Sequence, residues 1–198
     1  MNKRATIEMN VNAAEIALKH GLGMGINMIW GMAGDTLDSM RGNAEFIKRF
    51  NQYDQIRTVR PVTPYPGSPL FNIAVSKGML KDPDDFYEKF GNSDLYMVNF
   101  TDEPLDKIYE TLFEVNQDLI LDHFKHTSND MEMANELIDR FSNLYFKGDT
   151  SFRGPRNNRP NTVKDRRKDF NKLRSDSSTT MGVWEGLELK QGTRLSGM

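Results

Sequence analysis

The sequence predicts an α/β fold in which helices cover a parallel sheet. Two observations carry this. Apolar spacing switches repeatedly between the helical period and short strand-like runs, and glycine-bearing connections separate the segments. Strands buried on both faces, as in parallel sheets, read as short continuous apolar runs, which is how residues 24–30 and 56–62 read.

The first helix is expected over residues 6–19, where Ile7, Val11, Ala14 and Leu18 recur at helical spacing and Thr6 offers an N-cap oxygen to Met9. Gly21 and Gly23 stop it. Residues 24–30 form the first predicted strand and residues 31–36, GMAGDT, the turn after it. Helical spacing returns over 37–50 through Leu37, Met40, Ala44 and Ile47, and residues 56–62 make a second, β-branched strand. Four prolines, Pro61, Pro64, Pro66 and Pro69, then fix φ and suppress helix until after Gly67, so residues 63–70 form a stiff rim. Helical spacing resumes over 70–75 and ends at Lys77 and Gly78.

Residues 82–90 read as an acidic, aromatic connector, and 94–100 as a short strand or an extended segment. Two long amphipathic helices follow, over 105–124 and 131–146, whose Met, Leu and Phe stripes are core rather than a cofactor box. The chain thus divides into an α/β part over 1–100, a helical extension over 101–150 and a tail over 151–198. Residues 1–150 carry 15 Lys and Arg against 23 Asp and Glu, and residues 151–198 carry 11 against 5, so an acidic body is followed by a basic tail. Rich in Arg, Asn, Ser and Pro, the tail buries too little apolar surface to offset ordering and is expected to be disordered. A solvated terminus is the simpler reading; a nucleic-acid arm is the alternative, with Phe152 and Phe170 to stack.

Composition excludes several chemistries. The chain has no cysteine, so it offers no disulfide, thiolate zinc site, iron–sulfur cluster of its own or cysteine nucleophile. No apolar run approaches the roughly 20 residues of a membrane helix, and no secretory signal opens the chain, so a cytoplasmic protein is expected. His123 and His126 with Asp122 suggest a metal pair, but histidines at a helix C-terminus suit the dipole without a metal, and no third ligand stands at a fixed spacing. The 31–36 loop lacks the lysine of a P-loop and the third glycine of a dinucleotide fingerprint; no nucleophile elbow or paired-carboxylate motif appears.

In sheets of this kind ligands sit where strand-to-helix loops converge, which draws interest to 31–36 and 63–70. In the first, Gly31 and Gly34 permit a tight turn and close approach of backbone amides to a ligand, or simply a sound connection capped by Thr36. In the second, Tyr65 stacks on a flat ligand or plugs the fold.

Taken in order, Met1-Asn2-Lys3, helix, apolar strand, Gly31-Met32-Ala33-Gly34-Asp35-Thr36, helix, strand, Pro64-Tyr65-Pro66-Gly67-Ser68-Pro69-Leu70, helix and Gly78 resemble the second half of a radical SAM core domain. The nearest branch is the one that often carries a cobalamin-binding domain. The resemblance spans about residues 1–100. It implies the second half of a partial (β/α) barrel, TIM-barrel-like, with its fifth and sixth strands at 24–30 and 56–62. It further implies that Ile29, Trp30, Gly31, Met32 and Gly34 lie against the adenine of S-adenosylmethionine, and that Pro64, Tyr65, Pro66 and Gly67 border the active-site mouth. Ala33 stands where the family usually has proline and Asp35 where it usually has glutamate. The family's chemistry needs a CxxxCxxC loop holding a 4Fe-4S cluster, and this chain has no cysteine. The expectation is therefore a truncated or split member, completed by an N-terminal half that carries CxxxCxxC, with cobalamin a cofactor of the complete enzyme. Catalytic residues and small-molecule substrate are left unassigned. The alternative is a non-catalytic interaction module with a basic nucleic-acid-binding tail.

Overall fold

The computed structural model describes residues 4–151; the tail expected beyond Ser151, and the first three residues of the resemblance, lie outside them. The described chain is an α/β arrangement of eight elements: α1 (Ile7–Lys19), β1 (Met28–Trp30), α2 (Leu37–Phe50), β2 (Val59–Pro61), α3 (Pro69–Ser76), α4 (Pro83–Lys89), α5 (Leu105–His126) and α6 (Met131–Lys147). Strands β1 and β2 pair in parallel, with Met28 opposite Val59, Ile29 opposite Arg60 and Trp30 opposite Pro61.

Both strands are shorter than the apolar runs that predict them, because side chains take the neighbouring backbone groups. Gln52 accepts from the Met24 N–H at 2.8 Å and donates to the Leu22 carbonyl at 3.0 Å. Arg57 donates to the Met24 carbonyl at 2.9 Å while pairing with Asp54. These bonds bracket the entry to β1 against the α2–β2 connection without a ladder. On the far side of β2, Asn116 of α5 accepts from the Val59 N–H at 2.8 Å and donates to the Val59 carbonyl at 3.1 Å. A buried helix side chain thus satisfies the backbone groups that a third strand would otherwise bond there. Asn116 also donates to the Tyr145 hydroxyl at 3.0 Å, which ties α6 to the same point.

Local signals place the helices. Thr6 accepts from the Met9 N–H at 3.2 Å. Thr36 and Ser39 form a capping box at the start of α2, and Ser68 caps α3 with Pro69 at its first position. The connector expected over 82–90 is instead a helix. Asp82 accepts from the Asp85 N–H at 2.8 Å, Pro83 opens the first turn, Asp84 and Asp85 suit its positive end, and Phe86 is fully buried.

Residues 94–100 adopt the extended alternative, not a strand. Asp94, Tyr96, Val98 and Phe100 are buried in alternation, but the backbone bonds to side chains: Tyr96 N–H donates to the Tyr109 hydroxyl at 3.1 Å and Phe100 N–H to the Tyr96 hydroxyl at 2.9 Å. Helices α5 and α6 share one core with the α/β part, in which Trp30, Met40, Ile47, Val59, Leu112, Ile120 and Leu144 belong to a single buried cluster. Among the described residues no helix is long and apolar enough to cross a membrane.

Candidate functional site

The two strands have two unlike faces. Trp30 and Val59 point into the core beneath α2 and α5, and the Trp30 indole donates to the Thr36 carbonyl at 2.8 Å and the Ser39 hydroxyl at 3.1 Å. Ile29 and Arg60, paired across the ladder, point the other way and remain exposed. Period-two alternation makes this inevitable once one face is buried.

The open face floors a cavity of about 560 Å³. Ile29, Met32, Val62, Tyr65, Leu70 and Ile73 give it an apolar lining, and Arg60, Thr63, Ser68 and Ser93 supply its polar groups. A volume of this size, apolar with a few convergent polar groups, is typical of small-molecule sites.

The 31–36 loop forms one end. Gly31 has φ of 110° and Gly34 of 90°, conformations that favour glycine. Gly31 is doubly constrained, since a Cβ there would stand 2.6 Å from the Tyr96 ring. Asp35 closes the loop by accepting from the Gly31 N–H at 2.9 Å and the Met32 N–H at 2.8 Å. The Tyr96 hydroxyl donates to the Gly31 carbonyl. Burial pushes that hydroxyl up to about 12, so it stays protonated and able to donate.

The proline rim forms the opposite wall. Gly67, with φ of 88°, turns the chain into α3, and Tyr65 rests its ring on Phe86 and Phe90 at 5.7 and 5.9 Å between centroids. Half exposed, Tyr65 is braced from behind by α4 and lines the cavity in front.

Of the residues expected at the site, Ile29, Met32 and Tyr65 meet at this cavity. Gly31 and Gly34 shape the loop beside it, and Pro64, Pro66 and Gly67 shape the rim. Trp30 is 1% exposed, and its ring belongs to the core on the other face of the sheet. Sequence reasoning missed Arg60, whose only local signal is its place between Val59 and Pro61, both buried. Its Nε lies 3.4 Å from a carboxylate oxygen of Asp94, a side chain with no exposed surface, while the Arg60 side chain is 47% exposed.

The histidines sit elsewhere. His126 stacks on Tyr53 at 4.3 Å and approaches Asp122, while burial pushes His123 below its usual value. No group of three or more His, Asp or Glu side chains among the described residues is placed to hold a metal ion.

The cavity offers apolar side chains and an aromatic ring, a lining suited to a flat, largely apolar ligand. An iron–sulfur cluster does not fit this chain, which contains no thiolate ligand. Compared with known proteins, the chain matches no family model, no curated protein and no solved structure.

Proposed function

We propose that this chain is the C-terminal portion of a radical SAM enzyme, a truncated or split member that contributes the adenine side and the rim of the active site. The observation that carries the reading is the convergence of the glycine loop after β1 and the proline rim after β2 on one cavity over the open sheet face. In this reading β1 and β2 are the fifth and sixth strands of a partial (β/α) barrel. The earlier strands, and a CxxxCxxC loop for the 4Fe-4S cluster, belong to a partner half. Cobalamin is a cofactor of the complete enzyme.

S-adenosylmethionine, when bound, supplies the adenosyl group and the sulfonium whose bond is cleaved. The residues of this chain hold and orient it. Ile29 and Met32 pack on the adenine, Tyr65 covers it from the rim, and the stiff 63–70 segment keeps water from that side. Asp35 and Tyr96 act on the cofactor only through the loop they fix.

Co-expression with an N-terminal half bearing CxxxCxxC tests the reading. A stable complex that loads a cluster and cleaves S-adenosylmethionine supports it; no complex and no cleavage removes it.

A second reading, a non-catalytic interaction module, draws on the apolar side chains that α1 leaves exposed, among them Ile7, Met9 and Ile16. Its nucleic-acid arm is residues 151–198, and truncation at Thr150 combined with a salt titration of nucleic-acid binding tests it. Binding that is steeply salt-dependent and lost on truncation supports it; salt-insensitive or absent binding counts against it.

A further inference from the structure

Arg60 balances the charge of buried Asp94 through Nε, but that contact does not use the rest of its guanidinium. It occupies the centre of a strand, on the face that floors an otherwise apolar cavity, where a β-branched residue would pack better. The same side chain also reaches a second, more polar recess of about 540 Å³ toward the start of the strands, beside Asn27, Gln55 and Thr58, so it lies where the two spaces meet.

Its guanidinium is held from one side only. Nε lies 3.4 Å from a carboxylate oxygen of Asp94, which is fully buried, and Nη1 and Nη2 make no hydrogen bond among the described residues. Asp94 is itself positioned by the turn at Asn92, whose side chain accepts from the Asp94 N–H at 2.9 Å. A buried carboxylate engages Nε, and Arg60 lines the cavity with Nη donors that no described residue accepts from. A guanidinium fork of this kind matches an incoming carboxylate in bidentate fashion. Covering the cavity without supplying an acceptor would strand those donors away from water, which is costly.

We propose that the cavity takes an acidic ligand, a carboxylate carried on an apolar or aromatic body, and that Arg60 is the residue that recognises the acid group. The apolar walls at Ile29, Leu70, Ile73 and Tyr65 receive the body. This rests on the open face being the ligand face. The carboxylate has two sources, the methionyl group of S-adenosylmethionine or a separate acidic substrate, and the chemistry at Arg60 is shared by both.

The full chain is titrated calorimetrically at neutral pH with 4-phenylbutyrate, 4-phenylbutanol, S-adenosylmethionine and 5′-deoxyadenosine, the last lacking a carboxylate. The wild type is expected to prefer the acid over the alcohol by about 10-fold or more, the range of a charge-assisted hydrogen bond. Arg60→Met abolishes that preference, and Arg60→Lys, which keeps the charge and loses the fork, restores part of it. Thermal melting checks that both variants stay folded; because Arg60→Met also removes the partner of buried Asp94, Arg60→Lys, which keeps the counter-charge, decides the outcome if Arg60→Met unfolds. A loss for S-adenosylmethionine with 5′-deoxyadenosine unchanged assigns the acid group to the cofactor. A loss for 4-phenylbutyrate with S-adenosylmethionine unchanged assigns it to a substrate. Acid and alcohol bound equally by the wild type, or a preference that survives Arg60→Met, overturns the proposal. Absence of 5′-deoxyadenosine binding beside an Arg60-dependent acid preference removes the adenine reading alone and leaves the acid site standing.

Discussion

The two faces of the β1–β2 pair share one backbone and have opposite roles. On one face, Trp30 and Val59 are almost wholly buried under α2 and α5. On the other, Ile29 is 46% exposed and stands beside Arg60 over a cavity. The contrast teaches that a two-stranded sheet can be held from a single side. Two strands alone are marginal in water, but a dense helical core and one buried amide that occupies the outer edge of β2 suffice. The second face is then free to carry a site, because little of the fold's stability depends on it.

This comparison can be broken by mutation, and the largest effect is expected on the buried side. Trp30→Ala removes a fully buried indole and its two hydrogen bonds and should cost about 3–5 kcal/mol, read as a lower denaturant midpoint with the slope unchanged. Asn116→Ala leaves the Val59 N–H and carbonyl without their partner, for a loss of about 2–3 kcal/mol in the same measurement. Tyr96→Phe keeps the ring against Trp30 and removes the hydroxyl that bridges Gly31 and Phe100; about 1–2 kcal/mol should be lost, with the 31–36 loop showing faster amide exchange. Ile29→Ala should move stability by less than about 1 kcal/mol while weakening 5′-deoxyadenosine binding, since its side chain is already half in water. Equal losses for Trp30→Ala and Ile29→Ala would show that the two faces do not differ as described.

A subtler effect is expected with pH. Burial pushes His123 below its ordinary value, so the unfolded chain takes up this proton more readily than the folded one. Its contribution to stability is therefore full above the unfolded histidine value of about 6.5 and is lost as pH falls below it toward the lower folded value. Melting temperature should drop between neutral and mildly acidic pH, and His123→Gln should flatten that part of the profile.

How far the sequence announces this structure depends on how local each determinant is. Thr6, Thr36 and the apolar stripes of α2, α5 and α6 act within a few residues, so helix positions are legible directly. Helix α4 was legible too, in the run Asp82-Pro83-Asp84-Asp85, but its acidity suggests a solvated connector unless the cap and the first-turn proline are weighed. Asn116 is different. Its importance arises from Val59, 57 residues away, and a polar residue in a long helix carries no sign of that partner.

The site divides in the same way. The glycine loop and the proline rim announce themselves by residue types that only special backbone requires, as Gly31 and Gly67 show. Arg60, Ser93 and the role of Asp94 do not, because which face a strand residue takes depends on register, and register is set by the core opposite. Trp30 shows the converse: adjacent in sequence to Ile29 and Gly31, it lies on the wrong side of the sheet to meet a ligand with its ring.

The most direct test of the account is methyl NMR of the full chain during titration with 5′-deoxyadenosine. The account predicts that the Ile29 and Met32 methyl signals shift with a common saturation curve while the core signals of Ile47 and Ile120 stay in place. Shifts confined to the core side, or no shift at Ile29 at saturating ligand, would contradict it.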